Sequence, residues 1–319
     1  MPQDTDQGKH RELPPELEPV LTRAKRLEWL SIAYLISSVV LMYLTLGQSQ
    51  AMKTAWADDT LGLVAPISFL ITTRFVRRPA TPDYPYGYHR AATIGYLTGS
   101  AALLVIGSLL LFDGGQALLS GERPSIGLVV IGGAPIWAGY LMIAALLWST
   151  IPPHFLGKAK GPLAEKLHDK VLFADADTNR ADWQMGTATM LGIVAIGFGW
   201  WWADGTMSVV LSTSIIFDGY QNLKQAVADL LGQTPKTVDR EDNDPLVRQV
   251  HDLLASLDWV QTTKVRLREE GHLLYGEGFL VARDKKDILT KLRQATDAVR
   301  GLDWRIKDLV LSVVDELPA

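Results

Sequence analysis

The sequence predicts a membrane protein: an all-α, six-helix transmembrane domain followed by a small α+β cytoplasmic domain. Three observations carry this. Apolar runs of membrane-spanning length recur between residues 27 and 231; about 20 apolar residues at ~1.5 Å rise cross a ~30 Å hydrocarbon core. After "LLGQTPKTVDREDNDP" the composition changes to that of a soluble domain. Basic residues collect on one side of the runs, which sets an orientation. The expected boundaries are an N-terminal cytoplasmic tail over 1–26, a transmembrane domain over 27–231 and a cytoplasmic domain over 236–319.

The first run, "LEWLSIAYLISSVVLMYLTLG" (27–47), follows a charged, proline-containing stretch. It lacks a small-residue cleavage pattern at its end, so it reads as a retained helix and not a signal peptide. The second covers about 50–73 and contains "TLGLVAPISFLITT"; the third is "AATIGYLTGSAALLVIGSLLLF" (91–112). The fourth, "IGLVVIGGAPIWAGYLMIAALLWS" (126–149), includes "GGAPIWAG" (132–139), whose glycines suit close packing or a kink within a span. The fifth is "WQMGTATMLGIVAIGFGWWWA" (183–203), and the sixth starts at "GTMSVVLSTSIIF" and ends near 225.

In the last part, "LVRQVHDLLASL" has apolar residues at 246, 247, 250, 253, 254 and 257, a helical spacing. "WVQTTKVRLRE" and "HLLYGEGFLVAR" alternate as strands, "KDILTKLRQATDAV" is a second helix, and "WRIKDLVLSVVDEL" a final strand. An α-β-β-α-β order suggests helices on one face of a sheet.

Lys9, Arg11, Arg23, Lys25 and Arg26 precede the first run. Arg74, Arg77, Arg78 and Arg90 lie between the second and third, and Lys158, Lys160, Lys166 and Lys170 between the fourth and fifth. These thirteen share one side, against Lys53 and Arg123 on the other, so both termini are expected in the cytoplasm. The absence of cysteine excludes disulfides, thiolate ligands and cysteine nucleophiles. A formal charge of −4 gives no reason to expect nucleic-acid binding. The six histidines are scattered without an HExxH motif, there is no Gly-x-Ser-x-Gly, and no phosphate-cradling loop follows a strand, so nothing supports an enzyme.

Carboxylates at the mouth of an apolar helix are costly and therefore informative. In "FADADTNRADWQMG" (173–186), Asp175, Thr178, Asn179 and Asp182 fall at i, i+3, i+4 and i+7, an oxygen-bearing stripe about two turns long. Asp177 lies off the stripe. The second run contributes "KTAWADDTLG", with Asp58 and Asp59 adjacent, about 100° apart on the helix, so that one of them faces a partner helix. Carboxylates presented across two helices form a site for a hard divalent cation, whereas imidazole would favour zinc. The plainer reading assigns Asp175 and Asp177 to a favourable helix start, pairs Lys53 with one of the two aspartates of the second run, and leaves Asp113 and Asp218 near helix ends, facing interhelical contacts.

The chain resembles the cation diffusion facilitators over nearly its whole length. The most specific local mark is "YPYGYHR" (84–90), similar to the family's His-Pro-Tyr-Gly-Tyr-Gly-Arg loop after the second helix. The resemblance implies six membrane helices, a ferredoxin-like cytoplasmic domain, dimerisation through that domain, and metal export coupled to proton antiport. It also implies an Asp-x-x-x-Asp pair on the second helix and a His-x-x-x-Asp or Asp-x-x-x-Asp pair on the fifth. These fall on Asp58 and Gly62, and on Thr178 and Asp182, so two of the four positions carry the family's ligand. Asp59 and Asn179, each one position away, are candidates to compensate. Tyr84 stands where the loop's histidine would be, and His89 one residue from a family position. His251 and His272 form no His-x-His or His-x-Asp pair in the cytoplasmic domain.

The expected function is thus a homodimeric, multi-pass divalent-cation exporter of a bacterial inner membrane. Its metal residues would be Asp58, Asp59, Asp182, Thr178, Asn179 and Asp175. Zinc, iron, manganese or cobalt would be its substrate, protons and the lipid bilayer its other partners, and it would carry no prosthetic group. The alternative is a non-transporting membrane scaffold or metal sensor acting through the cytoplasmic domain.

Overall fold

A computed structural model of the chain describes residues 13–75, 78, 81–121, 123–284 and 286–318, without the side chain of Ala92. Lys9, Arg11 and Arg77, counted in the charge bias, lie outside the described residues, as does most of the expected tail.

The first helix, α1 (Glu18–Thr45), starts within the stretch assigned to the tail, with Pro19 in its first turn, where a missing N–H is harmless. Val20, Leu21, Ala24 and Leu27 join Phe69, Leu163, Leu167 and Leu172 in one apolar cluster, and this burial extends the helix. The expected second crossing is two helices, α2 (Gln50–Gly62) and α3 (Val64–Phe75), separated by Leu63. Pro66 explains the break: it has no N–H to return to the carbonyl of Gly62. Next comes α4 (Ala91–Ser120), ended by Gly121 at φ 67°.

The expected fourth span differs most. Residues 128–137 form a β-hairpin, β1 (Leu128–Ile131) with β2 (Ala134–Trp137), and not helix. Gly132 and Gly133 have φ of 61° and 87°, the two positive values that a two-residue turn between antiparallel strands requires. An uninterrupted apolar run does not distinguish strand from helix; the Gly-Gly pair was the available signal. The helix, α5, is displaced to Ala138–Leu167 and takes in Lys158, Lys160 and Lys166. Only His168 and Asp169 separate it from α6 (Lys170–Gly197). The acidic stripe is therefore inside a helix, where sequence analysis had put it at a mouth. A final helix, α7 (Trp202–Leu230), completes the set.

Among the described residues, three helical stretches are long and apolar enough to cross a membrane by length and composition: Pro15–Thr45, Thr93–Ser120 and Ala138–Leu167. α6 and α7 have 28 and 29 residues but carry several ionisable groups each. The outward faces are apolar, with Ile36, Val40 and Leu44 on α1 and Val105, Leu109 and Phe112 on α4 all exposed.

Packing is close where side chains are absent. A Cβ on Gly157 would lie 2.5 Å from the carbonyl oxygen of Ala176, and one on Gly161 would overlap the Arg180 guanidinium, so α5 and α6 meet through a Gly-x-x-x-Gly face. α5 also contains Pro152 and Pro153. Pro152 cannot bond the carbonyl of Trp148; the Tyr34 hydroxyl donates to that oxygen instead, and Trp148 Nε1 donates to Ser37 Oγ at 3.0 Å. A helix defect thus becomes an α1–α5 contact.

The C-terminal unit comprises α8 (Pro245–Ala255), β3 (Val260–Glu270), β4 (Leu273–Ala282), α9 (Ile288–Arg300) and β5 (Ile306–Val313). This is the α-β-β-α-β order that periodicity predicts. The strands run β3-β4-β5, antiparallel then parallel. Leu246, Val250 and Leu254 of α8 and Ala295 and Val299 of α9 pack with Leu267, Leu280 and Leu309 of the sheet. Among the described residues, Lys170 pairs with Glu269, and Arg90 with Glu270 at 2.8 Å, joining this unit to the helical part.

Candidate metal site

α2 is anchored at its first turn. Asp204 of α7, fully buried, accepts hydrogen bonds from Ser49 Oγ (2.6 Å), Gln50 N (2.6 Å) and Ala51 N (3.2 Å), satisfying backbone donors that a helix start leaves open. Thr54 and Ser208 hydroxyls meet at 2.8 Å one turn on. These contacts set the rotation of α2 and hence where its two aspartates point.

Asp59 turns towards α1 and α5. Its Oδ2 accepts from Ser38 Oγ and from Ser149 Oγ, each at 2.7 Å. Asp58, one residue earlier, points elsewhere and senses the charges of Asp59 and of Asp218 on α7. Asp182 of α6 senses Asp58 and Asp59 across the helix interface, and Asp175 along its own helix. Asp58 and Asp182 are partly buried and, among the described residues, have neither a hydrogen-bond partner nor an ion-pair partner for their carboxylates. Among the described residues no three His, Asp or Glu side chains stand close enough to hold a metal ion.

The remaining stripe residues have other surroundings. Asp175 is buried and ion-paired to Lys160, and it accepts from Asn179 Nδ2 at 3.1 Å. Asn179 also donates to the backbone oxygen of Asp175 at 2.7 Å, so both are engaged one and two turns short of Asp182. Thr178 is exposed, as is Asp177. The reason is that 3.6 residues per turn rotates the buried stripe, which runs through Asp175, Asn179, Gly186 and Thr189 and leaves Thr178 at its edge. Lys53 makes no ion pair with Asp58 or Asp59; both serines take that role for Asp59. Asp113 is exposed. Asp218 of α7, expected to face an interhelical contact, lies within electrostatic range of Asp58 and adds a third helix's carboxylate.

Lys160, expected from the sequence to be a cytoplasmic loop cation, is a buried counter-ion. In the fold its side chain is completely buried between Glu28 and Asp175. The signal available was a helical register of small residues, Gly157 and Gly161, flanking it.

Three histidines converge where the helices meet the C-terminal unit. His89 lies 6.1 Å (ring centroids) from Tyr275, and His272 lies 5.6 Å from Trp304. Burial, with His89 and His168 nearby, pushes His272 from 6.5 down to about 4. Burial likewise lowers His89, beside Lys307, and His168, beside Arg305. A basic group depressed in the docked state binds protons better when undocked, so docking is most stable above pH 6.5 and weakens as pH falls towards about 4. The protection of β3 and β4 amides, taken relative to the intrinsic exchange rate at each pH, is expected to fall over that interval, and His272→Ala is expected to flatten the fall; pH-independent protection in the unaltered protein would contradict it. His251 is exposed beside Asp252 and takes no part.

Residues 28–231 match the profile of the cation efflux transmembrane domain. The chain belongs to the cation efflux family. It is 26% identical over 195 residues to the manganese efflux system protein MneS of Bacillus subtilis, covering 61% of this chain and 63% of that protein. It is 31% identical over 231 residues to the cation-efflux pump FieF of Shewanella oneidensis, covering 69% and 72%. A third relative, the uncharacterized transporter YdbO of Bacillus subtilis, is 25% identical over 257 residues, covering 75% of this chain and 83% of that one. As a cation efflux family member the protein is a membrane transporter of cations and not an enzyme. The expectation of a cation diffusion facilitator is borne out at that level.

Proposed function

We propose that this family member exports divalent metal ions by alternating access, with Asp58 of α2 and Asp182 of α6 as the charged ligands of the transported ion. The observation that carries this reading is that these are carboxylates on neighbouring helices, with Asp182 in electrostatic range of Asp58, both partly buried and without partners among the described residues. Asp59 is the neighbouring oxygen donor, held in reserve by Ser38 and Ser149. Thr178, Asn179 and Asp175 would need a helix rotation or release from their present partners to contribute. Hard oxygen donors suit manganese, iron(II) or cobalt better than an imidazole-rich site would, and the name of the manganese efflux relative points the same way. Metal and protons compete for the same oxygens, which supplies a chemical basis for proton exchange.

The accompanying architecture is six crossings, with α2 and α3 together as the second. A ferredoxin-like cytoplasmic domain over 236–319 serves dimerisation, and both termini lie in the cytoplasm of a bacterial inner membrane. Reporter fusions after Gly121 and after Pro318 are expected to report opposite sides; equal accessibility from outside would sink this topology. Metal-uptake assays across manganese, iron(II), cobalt and zinc in sealed proteoliposomes test the function itself. Absence of flux for every ion would favour the scaffold or sensor role instead.

A further inference from the structure

Glu28 of α1, Lys160 of α5 and Asp175 of α6 form a cluster away from any solvent. Lys160 Nζ is 3.0 Å from Glu28 Oε2 and is also paired with Asp175, and the side chains are 0%, 0% and 6% exposed for Lys160, Glu28 and Asp175. Asn179 supplies one more donor to Asp175. Two carboxylates face one ammonium, and Glu28 and Asp175 also hydrogen-bond each other, so one further positive charge, a proton or a cation, completes the cluster. The buried Glu28 Oε1 has no partner. Buried polar atoms without partners are rare and costly. An ion pair alone would be served by one carboxylate; a second carboxylate with a free oxygen, beside an amide, is the donor set of a hard-cation site. Its neighbourhood fits, since Asp182 senses both Asp175 and Lys160.

We propose that Glu28, Asp175 and Asn179 constitute a second divalent-cation site, two turns from Asp182, and that the Lys160 ammonium is its tethered occupant. Lysine reaches the carboxylates on a flexible stem and can withdraw, which a structural arginine clamp would do less readily. A divalent ion entering from the cytoplasmic end would displace Lys160 and complete the charge that the ammonium leaves unmet. The inference rests on the proposed handling of divalent cations and not on the Asp58–Asp182 pair.

The test is equilibrium dialysis of Mn²⁺ against the purified full-length protein at neutral pH. Lys160→Met is expected to bind one more Mn²⁺ per chain than the unaltered protein, and to recover thermal stability when Mn²⁺ is added. Lys160→Arg keeps a tethered cation and is expected to gain none. Adding Glu28→Gln to Lys160→Met is expected to abolish the gain. Repeating Lys160→Met on an Asp182→Asn background separates the two sites: the extra ion should persist there. Folded Lys160→Met with unchanged stoichiometry overturns the proposal, as does aggregation that Mn²⁺ fails to relieve. Unchanged Mn²⁺ binding by Asp182→Asn alone would overturn the Asp58–Asp182 reading while leaving this one standing.

Discussion

Asp182→Asn is expected to abolish metal flux while the protein still folds and inserts. The change keeps the shape and one oxygen donor and removes only the charge. Altering a group that merely orients a ligand typically costs ~10–100-fold in affinity or activity; loss of a charged ligand should exceed that. Asp58→Asn should behave alike, because neither carboxylate has another partner among the described residues to suffer from the substitution. Asp177→Asn should be nearly silent, since that side chain is exposed on the other edge of α6. Flux measured in proteoliposomes decides the matter. Normal transport by Asp182→Asn, or greater damage from Asp177→Asn, would place the ion elsewhere.

The second large effect concerns stability. Asp244 both caps α8, accepting from Leu246 N at 2.9 Å, and pairs with Arg305 Nη1 at 2.5 Å, and both residues are buried. Removing one partner of a buried ion pair strands the other charge, at a cost of roughly 3–5 kcal/mol; loss of the cap adds about 1 kcal/mol. Asp303 holds the far side of the Arg305 guanidinium at 3.2 Å and moderates the loss. Residues 236–319 expressed alone are expected to fold and self-associate, and Asp244→Ala is expected to destabilise them by about 3–5 kcal/mol in a urea titration. A disordered fragment would remove the proposed domain boundary; a fragment indifferent to Asp244→Ala would show that Arg305 finds water or Asp303 sufficient.

What could be read directly depended on whether the signal was local. The α-β-β-α-β unit was legible because α8 has apolar residues at helical spacing and β3 and β4 alternate, and each pattern needs only its own segment. The hairpin at 128–137 was missed because its residues are uniformly apolar, and only the Gly132-Gly133 pair departs from a helical reading. Asp58 and Asp182 stood out in the sequence because an ionisable group inside an apolar helix is anomalous wherever its partner lies. Thr178, expected on the acidic face, lies at its exposed edge because a real helix drifts in angle against an idealised face.

The sequence by itself determined that this chain carries apolar runs of membrane-spanning length with basic residues biased to alternate connections, places carboxylates in two of those runs and ends in a small mixed domain. Hydropathy, charge asymmetry and periodicity are properties of short windows, and the bilayer acts on them window by window. Only the tertiary structure decided what each polar group does. Ser38 and Ser149 lie 21 and 90 positions from Asp59, and Glu28 lies 132 from Lys160, yet each contact sets whether a carboxylate is free or taken. Inside an apolar medium a polar group must find its partner within the protein, and that partner's position along the chain is unconstrained. The division between a ligand and a counter-ion is therefore made by helix packing, which no single window contains.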